Sequence, residues 1–143
     1  MSIAFIDIDG TVLPFQDRLF RQEAVDVLKQ YVAAGYKLVL HSAWRHDDGE
    51  ERPLAYLLFE QNGIPLFDHC DPDEPSKSRA IQGWLDDNWG EVNPEDKIVI
   101  FDDSDLEFEV PYCIKFTPNP MVGITKAMLG PILDEEADIA RLG

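Results

Sequence analysis

Three short apolar runs in this chain give way to polar residues at the same point, their carboxyl ends. Ile3 to Ile6 runs into Asp7, Leu38 to Leu40 into His41 and Ser42, and Ile98 to Phe101 into Asp102 and Asp103. Short apolar runs of this kind mark strands buried on both faces, as parallel sheets require. Helix-length stretches lie between them. Residues 21–34 place Ala24, Val25, Leu28, Tyr31 and Val32 on one face, with Gly35 as a stop. Residues 53–62 have Pro53 suited to a first turn and Gly63 past the end. Ser76 can cap a helix running to about Trp89, with Ile81, Trp84 and Leu85 inward. Residues 64–67 and 112–116 are predicted as the remaining strands. A last helical stretch begins near Thr125 and is interrupted at Gly130-Pro131. Alternation of strand and helix predicts an α/β fold: one Rossmann-like parallel sheet of five strands with helices on both faces, in a single domain over residues 1–143. Ligands of such sheets sit outside the carboxyl ends of the strands, where the polar residues collect.

Composition narrows the function classes. The chain is 45% apolar and 28% charged, ordinary for a soluble globule, and no apolar run approaches the roughly 20 residues a membrane span needs. The first residues lack the basic segment of a secretory signal and read as a strand. Twelve Lys and Arg against 28 Asp and Glu give a net charge of −16. Non-specific nucleic-acid binding relies on basic side chains neutralising phosphates, so a general nucleic-acid coat is excluded, although a local basic spot is not. Cys70 and Cys113 have no metal-binding or redox spacing. They read as free thiols in a reducing cytoplasm, the expected location.

The chemistry centres on Asp7-Ile8-Asp9-Gly10-Thr11. Asp7 and Asp9 are two residues apart, so an extended chain puts both on one face, and Gly10 permits a sharp turn. Two carboxylates about 4 Å apart repel by roughly 4 kcal/mol at an effective dielectric near 20. Crowding Asp7, Asp9, Asp102 and Asp103 at one sheet edge therefore calls for a cation. Oxygen-only ligands suit magnesium.

These residues resemble the haloacid-dehalogenase-like (HAD-like) hydrolase superfamily. The run from Phe5 to Val12 matches its first motif, Leu38 to Ser42 the second, Lys77 the third, and Ile98 to Asp103 the fourth. The resemblance implies Asp7 as a nucleophile that forms an aspartyl-phosphate. It implies Asp9 as the general acid and then base, with its main-chain carbonyl on the metal. Ser42 would hydrogen-bond the phosphoryl oxygens, and Lys77 would neutralise charge on Asp7 and the phosphoryl group. Asp103, with Asp102, would complete the magnesium site; which of the two binds directly stays open, and Asp105 is a further candidate. A closer similarity runs through Ser42-Ala43-Trp44-Arg45, Lys77, Ile81 to Leu85, Phe116 to Pro118 and Val122 to Thr125. It is to HAD domains associated with RNA-repair proteins and their stand-alone relatives.

That similarity places Thr11, Trp44 and Arg45 at the substrate. Trp44 is read either as a packing residue or as a platform for a terminal base. Arg45 is read either as a bidentate phosphate clamp or as an ion-pair partner of Asp47 and Asp48. His41 has no assigned role. The acidic runs 47–51 and 71–74 are expected to be solvated loops, or weak sites for a second cation. Neither 14–20 nor 44–76 has room for an inserted cap domain, so the site is expected to be open, without a cap. The function expected is a magnesium-dependent phosphohydrolase acting on a phosphorylated substrate. Nucleic-acid end phosphates stand beside metabolite and protein phosphates as substrate classes. The alternative is a non-catalytic HAD-like module that binds a phosphorylated ligand or a protein.

Overall fold

A computed structural model describes residues 1–15, 17–45 and 51–133. Its centre is a parallel sheet of strands β1 (Ile3–Ile6), β2 (Lys37–Leu40), β3 (Asp68–His69), β4 (Ile98–Phe101) and β5 (Cys113–Phe116), in the spatial order β3-β2-β1-β4-β5. Ile3 is in register with both Lys37 and Ile98, and Ile6 with both Leu40 and Phe101. The carboxyl ends of β1, β2 and β4 therefore lie side by side. The chain order reverses direction across β1, which makes its carboxyl end the topological switch point where ligands of open α/β sheets bind.

Strand alternation builds two core layers. Ala4, Ile6, Leu38, Leu40, Val99 and Phe101 face one side, under helices α1 (Gln22–Ala33) and α2 (Glu51–Gln61) and the segment around Leu129 and Ile132. Ile3, Phe5, Val39, Ile98 and Ile100 face the other, under helix α3 (Lys77–Asp87), whose Ala80, Ile81, Trp84 and Leu85 are buried against them. Helices thus cover both faces, as expected. Ser76 caps α3 by accepting a hydrogen bond from Arg79 N at 3.2 Å. A 3-10 turn at Trp89–Glu91 follows α3. Gly35, with φ +97°, follows the end of α1.

Two expectations need correction. The strand expected over 64–67 lies further along, at Asp68–His69, paired with Val39 and Leu40. Ile64 and Leu66 are buried but belong to an irregular approach to the sheet, in which Phe67 N–H donates to Leu38 O. Their alternation reflects packing under α1 and α2, and Pro65 between them has no N–H to give to a ladder. The break in the last helical stretch falls at Met128 (φ −94°, ψ 16°), inside a 3-10 turn at Lys126–Leu129, not at Gly130-Pro131. Gly130 is helical, and Pro131 sits in the first turn of the following helical residues, where its missing N–H costs little.

Among the described residues neither insertion point carries a further folded unit, so the fold is a small α/β domain without a cap. No helix is long and apolar enough to cross a membrane. Cys70 and Cys113 are both free.

Candidate active site

The chain turns sharply just beyond β1. Thr11 and Leu13 N–H groups both donate to Ile8 O, and Gly10 N–H donates to Leu13 O. Gly10 has φ +75°, and a Cβ there would collide with the Asp103 carboxylate. Glycine is thus needed twice, for the left-handed backbone and for the approach of the β4 acid. Gly123 (φ +80°) has the same dual role, since its Cβ would strike the Thr11 carbonyl oxygen.

Asp7, 4% exposed, stands at the end of β1 with its N–H bonded to Phe101 O. One ligand atom each from Asp7, Asp102 and Asp103 lies within 4.8 Å of the others. Lys77 Nζ is 3.6 Å from Asp7 Oδ2 and 3.2 Å from Asp102 Oδ2. Burial, then the Asp102 charge, pushes the Asp7 carboxyl up to about 8, with Lys77 pulling the other way. Burial would also raise Asp102, but its hydrogen bonds and the charge on Lys77 hold it well below the usual carboxylate range. Its Oδ2 faces His41 Nε2 at 3.0 Å and accepts from Lys77 Nζ; its Oδ1 accepts from Ser104 N and Oγ at 3.0 and 2.9 Å. Burial lowers the Lys77 pKa, but Asp7 and Asp102 beside it win and raise it.

His41 is fully buried, which lowers its pKa, so the neutral ring donates from Nε2 to an Asp102 carboxylate that can only accept. The residue without a role in the sequence thus supports the first acid of the β4 pair. Glu107 is a second residue the sequence did not disclose. Its carboxylate accepts from Lys77 N, Ser78 N and Ser78 Oγ at 3.3, 3.1 and 2.8 Å, capping α3 from a distant loop and fixing the turn that carries Lys77. Burial is the largest single influence and raises the Glu107 pKa, but its own main-chain N–H and these donors together pull it down to about 2. The Ser/Thr/Asp/Asn rule for caps reads only local sequence, so a partner 30 residues from Lys77 gives no signal.

Beyond β2, Ser42 is buried and its Oγ accepts from Trp44 N–H at 3.1 Å, which leaves the hydroxyl proton free to donate. Asp9 is exposed, and its carboxylate accepts from Trp44 Nε1 at 2.9 Å. The Asp9 carboxylate is not in the three-acid group; the resemblance gives Asp9 a part at the metal through its main-chain carbonyl.

The three residues expected at the substrate take different places in the structure. Arg45 is 1% exposed, in the interior and not at the rim. Its guanidinium donates to the carbonyl oxygens of Asp71 (3.1 Å), His41 (2.9 Å), Ser42 (3.0 Å) and Glu74. It staples the end of β2 to the loop before α3. The ion pair weighed for it with Asp47 and Asp48 lies outside the described residues, as does most of the acidic run 47–51. Thr11 is fully buried, and its Oγ1 has no hydrogen-bond partner among the described residues, so it does not face the rim either. Trp44 is half-buried against the core, the packing role weighed for it, and its indole N–H is in addition tied to Asp9. Asp105 is exposed and outside the three-acid group.

A divalent cation fits what is present. The donors are carboxylate oxygens, and both influences that raise Asp7, burial first and then the Asp102 charge, are ones that a bound cation would offset. Both Asp102 oxygens are already engaged, so Asp7 and Asp103 are the carboxylates free to serve.

A family model described as the HAD domain in Swiss Army Knife RNA repair proteins matches residues 3–129. No curated protein gives a significant match.

Proposed function

From the premise that the chain belongs to the family of HAD domains in Swiss Army Knife RNA repair proteins, we propose that it is a magnesium-dependent phosphohydrolase with Asp7 as its nucleophile. The observation that carries this reading is the grouping at the end of β1: Asp7 buried beside Lys77 and within ligand distance of Asp103.

Asp7, Asp103 and the Asp9 main-chain carbonyl would hold a magnesium ion, which would supply positive charge to the phosphoryl oxygens and keep Asp7 ionised. An Asp7 oxygen attacks phosphorus, the ester P–O bond breaks, and its electron pair leaves on the substrate oxygen. Asp9 gives that oxygen a proton. Asp9 then takes a proton from water as the water oxygen attacks phosphorus, which frees Asp7 and inorganic phosphate. Lys77 neutralises the charge that Asp7 passes to the phosphoryl group, and the Ser42 hydroxyl donates to a phosphoryl oxygen. His41, Ser104 and Glu107 hold Asp102 and Lys77 in place.

An open site favours a phosphate monoester on a bulky substrate that brings its own shielding from water. The family's tie to RNA repair makes a phosphorylated RNA end the substrate class to test first. With a net charge of −16, contact must be confined to the end itself. Phosphate release from 3′- and 5′-phosphorylated oligonucleotides, nucleotides, sugar phosphates and phosphopeptides, with and without magnesium, tests the reading. Magnesium-dependent release from an oligonucleotide, lost in Asp7→Asn, is expected. Release from a metabolite alone would overturn the substrate class. Binding of phosphorylated ligands without release from any of them would identify a non-catalytic module.

A further inference from the structure

The hydrogen bond between Trp44 and Asp9 joins residues 35 positions apart, and nothing in the reaction scheme above requires it. Asp9 is exposed, and no other side chain among the described residues hydrogen-bonds its carboxylate. Free in solvent, such a side chain samples several rotamers, few of which point at a given atom. Trp44 is fixed on three sides. Its ring lies against the core layer under α1 and α2, its main-chain N–H is bonded to Ser42 Oγ, and the next residue is the buried Arg45 staple. A rigid donor therefore grips a mobile acid.

We propose that Trp44 is the positioning residue of Asp9: its indole N–H fixes Oδ2 and leaves Oδ1 as the oxygen that carries the proton to and from the reacting atoms. The indole nitrogen is a donor only, so a protonated Asp9 cannot give its proton to Trp44, and Oδ2 keeps its bond in either protonation state. In the first step the proton on Oδ1 passes to the leaving oxygen as the P–O bond breaks. In the second, Oδ1 takes a proton from the attacking water. The inference rests on the phosphohydrolase reading and assigns the orientation that step needs; misplacing a reacting group by about 1 Å can cost on the order of 100-fold in rate.

Trp44→Phe keeps an aromatic ring against the core and removes the N–H. Two esters separate positioning from structure: 4-nitrophenyl phosphate, whose leaving group departs without a proton, and phenyl phosphate, whose leaving oxygen needs one. With magnesium present, Trp44→Phe is expected to lower kcat/KM, which reports the steps through leaving-group departure and not the hydrolysis common to both esters, about tenfold on phenyl phosphate and less than about twofold on 4-nitrophenyl phosphate, with melting temperature unchanged. Asp9→Asn shows the same bias, and adding Trp44→Phe to it causes no further loss. Equal losses on both esters, additive losses or no loss overturn the proposal. A readout independent of activity is the NMR resonance of the Trp44 indole proton, which moves in Asp9→Ala if the pair exists. If it stays, the pairing is wrong. If it moves while the wild type releases phosphate from neither ester, the phosphohydrolase reading fails and the pairing stands.

Discussion

The ends of β1 and β4 each carry a buried acid, and the two acids behave in opposite ways. Asp102 accepts hydrogen bonds from Lys77 and Ser104 and faces His41, so burial does not protonate it. Asp7 is as deeply placed but has Lys77 only at 3.6 Å, and its carboxyl rises to about 8. Burial raises both; what differs is that donors already serve Asp102, whereas Asp7 in addition faces the Asp102 charge. One end of the site is finished and structural. The other is left under-neutralised, which supports the nucleophile role proposed for Asp7.

The largest test of that contrast exchanges activity for stability. Asp7→Asn is expected to lower turnover by at least about 10⁴-fold while the protein still folds, because only the anionic oxygen is lost. Asp102→Ala is expected to destabilise by about 3–5 kcal/mol in urea melts, because it leaves the buried His41 without its acceptor and takes from Lys77 the nearer of its two carboxylates. If the roles were reversed, with Asp102→Ala inert in stability and Asp7→Asn unfolded, the contrast would fail.

Next in size is the pH dependence of the metal-free protein. The Asp7 pKa rises on folding from an unfolded value of 3.8 to about 8, so its contribution is fully present below about pH 4 and is lost as pH rises to about 8. Asp102 has a lowered pKa, so its contribution is present above the ordinary carboxylate range and is lost as pH falls below it. The difference in stability between wild type and Asp7→Asn should therefore grow from pH 4 to pH 8, with Asp7→Asn the more stable at the upper end. Magnesium must displace the proton on Asp7, so at a fixed concentration it should raise the melting temperature more at pH 8 than at pH 6. Asp103→Ala should remove that shift, and Asp105→Ala should not. A magnesium shift independent of pH would mean that Asp7 is not a ligand.

Residues whose partners are set by strand order were legible in the sequence, and residues set by distant loops were not. Asp7, Ser42 and Asp103 each follow an apolar run, and parallel register alone brings those ends together. Lys77 was legible as a helix opener, but the cap that aims it comes from Glu107. Arg45 looks like a rim residue because it follows a strand end. Only its acceptors at Asp71 and Glu74, 26 and 29 residues on, turn it inward. β3 was misplaced for a related reason: Ile64 and Leu66 alternate like a strand, whereas the true pair, Asp68–His69, is polar and lies at the sheet edge. Arg45→Ala should expose that difference by costing at least about 3 kcal/mol of stability in urea melts, since the four carbonyl acceptors lose their donor at once. A loss of activity with stability intact would return Arg45 to the rim.

The smallest effect concerns the loop that ties the finished end to the reactive one. Glu107 lies on the β4 side, yet its carboxylate grips the first turn of α3, from which Lys77 reaches back to Asp7. Its hydrogen bonds stabilise the helix N-terminus both as acceptors and as a negative charge at the positive end of the helix dipole. Because Glu107 is exposed, solvent screens much of the charge contribution, and the hydrogen bonds dominate. Glu107→Gln keeps one acceptor oxygen and removes the charge. It is expected to cost about 1 kcal/mol in urea melts and to reduce kcat several-fold, with the magnesium shift unchanged. A kcat loss as deep as that of Lys77→Ala would mean that α3 does not hold Lys77 without Glu107. No change in either quantity would mean that Asp102 alone positions the lysine.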